Sequence, residues 1–297
     1  MSELVDFCGL QLAHRIINGS GTFDALAARR AFGDGFDAVF PFAAFVSKTI
    51  TLAPRDGNPP PRLFEVPGGM INSIGLPNKG LAGYLRDDLP QLARLPVPLI
   101  TNVMGNTAVE VRELVEAVGA RGEVAAIELN VSCPNVKTGL DIGADAGELG
   151  KLVTAVRPAT TKPLIVKLTP NTADVAGIAQ AAEAAGADAV SLLNTLRAFA
   201  PHPRADGTPW LGGGTGGMSG PALRAVALAQ VGAVARRVSI PVIGMGGVAS
   251  GRHARDFIDA GATLVAVGTE SFRDSLAGAR IRAELDIFLG KSGEIAA

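Results

Sequence analysis

Short apolar runs alternate with longer helix-like stretches along almost the whole chain, and few folds accommodate that rhythm. The strand-like runs are residues 15–18, 45–49 (or 38–40 for the same strand), 98–103, 125–131, 163–168, 189–193, 241–245 and 263–267. Most are apolar throughout, as strands covered on both faces must be. Helical periodicity fills residues 107–118, 146–156, 172–185, 221–238, 251–260 and 271–288. Gly119, Gly186 and Gly261 stand where helices should stop, and the last two lead straight into the next strand. Eight such units predict an α/β fold, a (β/α)8 TIM barrel, in preference to an open doubly wound sheet. Two segments break the repeat, residues 50–78 and 196–220, and both are expected to be long active-site loops.

The 297 residues suit one domain, residues 1–297, with a large core; 47% are hydrophobic and 19% charged, which argues against disorder. The net charge of -1 gives no general attraction to nucleic acid or an anionic membrane. Asp37, Asp188 and Asp259 interrupt the most apolar regions, so no membrane span is expected. The acidic start Glu3-Leu4-Val5-Asp6 is unlike an export signal, and with only Cys8 and Cys133 present a reducing cytoplasm is the expected location. His14, His202 and His253 have no ligand spacing with either cysteine, so no metal is expected.

In a TIM barrel the chemistry lies at the C-terminal ends of the strands. There the sequence places Asn18 to Thr22, Lys48 and Thr49, Asn102, Asn130 to Cys133, Lys167, Asn194 and Thr195, Gly246 and Gly247, and Gly268 and Thr269. Lys48 and Lys167 end apolar runs, where a lysine is costly to bury without a negative partner, so each is expected to face one. Asn72, Asn102, Asn130 and Asn194 offer donors and acceptors suited to a planar, amide-rich ligand. The glycines after the seventh and eighth strands match the usual phosphate site of such barrels. The glycine cluster 212–220 does not follow a strand and is no dinucleotide fingerprint. Cys8 reads as a small buried hydrophobe, whereas Cys133, at the mouth among polar residues, is a candidate general base.

Several stretches resemble, in order, the class 1 dihydroorotate dehydrogenases: Ser20-Gly21-Thr22-Phe23, Ser47-Lys48-Thr49, Pro54-Arg55-Asp56-Gly57-Asn58-Pro59, Asn72-Ser73-Ile74-Gly75-Leu76, Glu128-Leu129-Asn130-Val131-Ser132-Cys133-Pro134-Asn135, Val166-Lys167-Leu168-Thr169-Pro170-Asn171, Asn194-Thr195 and Gly244-Met245-Gly246-Gly247. The likeness is closest to the NAD-linked 1B branch. It implies FMN as cofactor and oxidation of dihydroorotate to orotate in pyrimidine biosynthesis. It also implies a homodimeric core and a separate electron-transfer subunit carrying an iron–sulfur centre and FAD. By the same resemblance Cys133 removes the C5 proton while hydride leaves C6 for the flavin, and Lys48 lies near both. Lys48, Asn72, Ser73, Ile74, Gly75, Leu76, Asn130, Asn194 and Thr195 would hold the substrate. Ser20, Lys48, Thr49, Asn102, Asn130, Lys167, Leu193, Gly220, Gly246, Gly247, Gly268 and Thr269 would hold FMN. The alternatives are a dihydropyrimidine dehydrogenase-like FMN barrel acting on uracil or thymine, and a phosphate-binding barrel without redox chemistry. Phe42 to Phe45, and residues 199–211 with His202 and Trp210, depart from the family pattern.

Overall fold

A computed structural model describes residues 4–131, 142–203 and 207–290. Eight parallel strands form the central sheet, in the order β3 (Ile16–Asn18), β14 (Leu264–Val267), β13 (Val242–Met245), β10 (Ala189–Leu192), β9 (Leu164–Lys167), β8 (Val124–Asn130), β7 (Leu99–Val103) and β4 (Phe45–Val46). All eight expected strands are present, and the second is the 45–49 alternative; residues 34–39 are a 3-10 turn instead. The two end strands, β3 and β4, approach each other through the Ala43 N–H, which donates to Ile16 O at 2.9 Å, and through the side chain of Asn18. The sheet is therefore a nearly closed barrel, as the alternation predicted.

Helices α4 (Ala108–Gly119), α5 (Ala146–Val156), α6 (Val175–Ala184), α7 (Arg224–Ala235), α8 (Gly251–Asp259) and α9 (Ala277–Phe288) cover the outside. Each expected helix is there, with ends set by local chemistry. Thr107, Asp145, Asp174 and Ser250 cap the N-termini of α4, α5, α6 and α8 by accepting a backbone N–H of the first turn. The Asp174 cap delays α6 to Val175, and 3-10 turns at Pro221–Leu223 and Thr269–Phe272 take up the expected starts of α7 and α9. Unexpected elements are α1 (Ala25–Phe32), the pair α2 (Gly80–Gly83) and α3 (Leu89–Leu92) joined by a π turn, and a hairpin of β1 (Val5–Phe7) and β2 (Leu10–Leu12). Among the described residues no helix is long and apolar enough to cross a membrane.

The barrel interior has two tiers, set by the period of two along each strand. Ile17, Ile100, Ala126, Ile165, Ala189, Ile243 and Leu264 form the lower tier, which Phe7 and Leu12 of the hairpin join from below. Two residues further along the same strands stand Asn102, Glu128, Lys167 and Ser191, all buried. A strand residue and its second neighbour share a face, so the apolar tier directly supports the polar one.

The two irregular segments do not stay loops. β5 (Leu63–Val66) and β6 (Gly69–Asn72) come from the first, β11 (Leu196–Ala198) and β12 (Gly216–Ser219) from the second. They join as one antiparallel sheet, β11-β12-β6-β5, with Gly217 opposite Asn72 and Met218 opposite Ile71. Ile71, Ala200 and Leu211 give it a small core of its own.

Candidate active site

A cavity of about 300 Å³ opens between the polar ends of the barrel strands and this second sheet. That is the lower end of the range for small-molecule sites. Its walls include Ser20, Lys48, Thr49, Asn130, Lys167 and Leu193 from the strand ends and Asn72, Ile74, Gly75 and Leu76 from the loop after β6. Asn194, Thr195, Gly220, Gly246, Gly247, Gly268 and Thr269 complete the set drawn from the expected residues. Two expected residues, Ser73 and Asn102, are fully buried and not part of its lining, Asn102 in the same polar tier as the wall residue Lys167. Cys133 lies outside the described residues, on the segment that follows β8 in sequence.

Local hydrogen bonds hold the wall in place. Ser20 Oγ donates to Ser47 O at 2.7 Å, and Asn130 Nδ2 lies 3.4 Å from Thr49 Oγ1, tying the first, second and fourth barrel strands together at the rim. Gly21 has φ +72°, and a Cβ there would lie 2.8 Å from Lys48 Cδ, so the missing side chain is what lets Lys48 lie along this turn. Asn72 Nδ2 donates to Gly217 O at 3.2 Å, so the amide that faces the cavity also links the two sheet-forming segments. Asn171 Nδ2 donates to Thr195 O at 3.2 Å and to Thr169 Oγ1 at 3.0 Å, and Asn194 Oδ1 accepts the Thr195 N–H at 2.8 Å.

The loop Asn72 to Leu76 is fixed from behind by Asn58. Its N–H donates to Ile74 O at 3.0 Å, and its Nδ2 donates to Ser73 Oγ at 3.0 Å and Ser73 O at 3.2 Å. Arg62 in turn donates to Asn58 O. Asn58 stood inside a recognised stretch, but its role rests on contacts fifteen residues ahead that residue spacing does not reveal.

Three features describe what the cavity can hold. Lys167 is 6% exposed and, among the described residues, pairs with no carboxylate, so the negative partner expected of it is left to a ligand. Asn102 Nδ2 donates to Glu128 Oε2 at 2.5 Å, and Asn102 Oδ1 is buried with no hydrogen-bond partner among the described residues. The far end is lined by main chain rather than side chains: Gly220, Gly246 and Gly247 have φ of +107°, +129° and +70°, and Thr269 Oγ1 bonds Ser219 Oγ at 2.9 Å. A Cβ added at Gly268 would meet only Thr22 Cγ2, at 3.8 Å, so that backbone borders open space. A cationic end, a buried acceptor and a glycine cradle at the seventh and eighth strands suit a polar heterocycle that carries a phosphate. Glu128 and Ser191 are the buried polar partners that the strand-end reading passed over. The alternation Ala126, Glu128, Asn130 within β8 was the available signal.

Comparison with known proteins gives a consistent result. The family model described as dihydroorotate dehydrogenase matches residues 4–289. A protein of Pelobacter propionicus named dihydroorotate dehydrogenase B (NAD(+)), catalytic subunit, is 44% identical over 290 residues, covering 97% of this chain and 94% of the relative. Like-named proteins of Citrifermentans bemidjiense and Geotalea daltonii are 44% and 42% identical over 286 and 290 residues, covering 96% and 97% of this chain and 92% and 93% of theirs.

Proposed function

Because the chain belongs to the dihydroorotate dehydrogenase family, we infer that it oxidises dihydroorotate to orotate in pyrimidine biosynthesis with FMN as cofactor. The observation that carries the reading is the match over residues 4–289 joined to a cavity whose walls suit a phosphate-bearing heterocycle. Relatives named for dihydroorotate favour that substrate over uracil or thymine. A barrel without redox chemistry has no support from these relatives either.

The fit to FMN rests on this chain's own groups. Gly220, Gly246, Gly247, Gly268 and Thr269 would take the phosphate on main-chain N–H groups and one hydroxyl. Lys167, Asn130, Thr49, Ser20 and Leu193 would hold the ring system, with the unpaired Asn102 oxygen of the buried tier as a further acceptor and the Lys167 ammonium favouring negative charge at the pyrimidine edge. Bound there, FMN supplies the hydride acceptor. Asn72, Asn130, Asn194 and Thr195, with the loop Ser73 to Leu76, would orient the substrate and give hydrogen bonds to the carbonyls whose charge builds up as the neighbouring C–H bond breaks. Lys48, crossing Gly21 into the same cavity, would add a fixed positive charge.

The base that removes the C5 proton is assigned to Cys133, on the Ser-Cys-Pro-Asn stretch that follows Asn130 in sequence. The thiolate rather than the thiol is the competent base, so turnover should rise with pH as Cys133 loses its proton. The relatives are catalytic subunits of an NAD-linked enzyme, which implies a separate subunit that carries electrons onward. The chain's two cysteines are too few for a cluster of its own, which supports an iron–sulfur FAD protein in that role. The family match from one end of the chain to the other supports a single domain, and its cysteine usage supports a cytoplasmic site.

The test is a titration of the purified yellow protein with orotate and with uracil. Orotate is expected to perturb the flavin spectrum and uracil to leave it unchanged; the reverse result, or a colourless protein that cannot be reconstituted with FMN, sinks the reading. The Cys133→Ser variant is expected to keep FMN and lose most dihydroorotate oxidation near neutral pH, and full activity in it would remove Cys133 from the mechanism.

A further inference from the structure

Glu128 is 1% exposed and lies in the polar tier of the barrel, below the cavity it does not line. Its carboxylate is held on both sides, Oε2 by Asn102 Nδ2 at 2.5 Å and Oε1 by Ser191 Oγ at 2.7 Å. Asn102 and Glu128 are register partners on β7 and β8, and Ser191 is the register partner of Lys167 on β9, so the three side chains bridge four adjacent strands. A carboxylate has only acceptors to offer. The group of Asn102 that faces Glu128 must therefore be its NH2, and the carbonyl oxygen is left over, buried and without a partner.

An amide side chain on its own can present either end to a ligand, and a half-turn about its last bond exchanges a donor for an acceptor. Glu128 removes that freedom. Together with the Lys167 ammonium, which can only donate, the site then offers one acceptor and one donor of fixed identity. An imide edge, with an N–H flanked by carbonyls, matches that pattern, and the pyrimidine ring of an oxidised flavin has one N–H, at N3.

We propose that Glu128 is a positioning residue of the cofactor site, which locks the Asn102 amide so that its oxygen accepts the N3–H of the flavin. The proposal rests on the FMN reading above. It adds a residue that touches neither ligand and acts through Asn102.

The test measures the preference of flavin-stripped full-length protein for FMN over 3-methyl-FMN, which lacks the N3–H, by quenching of flavin fluorescence. The unsubstituted chain is expected to prefer FMN by at least about tenfold, since the methylated ring leaves a buried acceptor unpaired. In Glu128→Gln the new amide can face Asn102 with either end, and the preference is expected to fall at least about threefold. In the double variant Asn102→Asp, Glu128→Gln the buried charge is conserved. The glutamine NH2 then meets one Asp oxygen while the other remains an acceptor, so the preference should return. A purely structural role for Glu128 would lower affinity for both flavins alike and leave their ratio unmoved.

Equal affinity for the two flavins in the unsubstituted chain, or a ratio unchanged in Glu128→Gln, overturns the proposal while leaving the FMN reading intact. A chain that takes up neither flavin overturns both. Should the single variant fail to fold, the unsubstituted chain and the double variant still decide: an unrestored preference in the latter counts against Glu128.

Discussion

Asn18 joins the two ends of the barrel by treating Val46 as a strand partner: its Nδ2 donates to Val46 O at 2.8 Å, and its Oδ1 accepts the Val46 N–H at 2.8 Å. A side-chain amide carries the same donor and acceptor as a peptide unit, so one residue of β3 supplies the pair of bonds that a ladder would have made to β4. Both residues are buried, so water cannot replace the bonds if they are lost.

Replacing Asn18 with Leu keeps the volume and removes both bonds. Two buried main-chain groups are then left unpaired, at a cost of about 3 kcal/mol. Urea unfolding should show a lower midpoint with an unchanged slope. A midpoint equal to that of the parent would mean that the seam closes by other means.

Gly268 borders open space in the cradle assigned to the phosphate. Gly268→Ala should lower FMN affinity by about tenfold or more, because the added methyl occupies room the ligand needs. The same methyl meets little else, so the melting temperature of the flavin-free protein should hardly move. A variant with parental FMN affinity would place the phosphate elsewhere.

Asn58 acts on the other side of the cavity, behind the loop assigned to the substrate. Asn58→Ala removes two side-chain bonds to Ser73 and should weaken orotate binding by about tenfold while the FMN content stays full. An equal loss of FMN would show instead that Asn58 supports the barrel as a whole.

His14 sits just before β3, its Nδ1 accepting the Ile16 N–H at 3.2 Å. Burial, and then the charge of Arg282, push its pKa down to about 4. A histidine in the unfolded chain takes its proton near ~6.5, so between these values the unfolded state binds more protons. Stability contributed by neutral His14 is therefore intact above about pH 6.5 and declines as the pH falls toward about 4, by up to about 3 kcal/mol. His14→Asn keeps an acceptor and does not titrate. Unfolding midpoints compared at neutral and mildly acidic pH should show a smaller acid loss in the variant, and an identical loss in both would absolve His14.

The eight barrel strands were legible because strands buried on both faces must be apolar throughout, and the site followed from asking which residues end them. The second sheet was not. Gly69, Gly216 and Gly217 have little strand propensity, and the pairing of Gly217 with Asn72 joins segments more than a hundred residues apart. No local pattern encodes such a partner. The hairpin at β1 and β2 was missed for a different reason, since strands of three residues are too short to show alternation. Asn102 is legible as a polar residue at a strand end and Ser73 through the family resemblance, but whether a side chain faces the cavity or supports those that do depends on neighbouring strands.

The hairpin that carries Phe7 and Leu12 works as a stopper beneath the barrel. With that end corked, solvent and protons reach the groups above the apolar tier through the mouth, and a flavin seated in the mouth is a second cork. The buried polar tier between the two would exchange protons with solvent at the pace at which the cofactor lets go, so how long the flavin stays bound also sets how dry its own foundations remain.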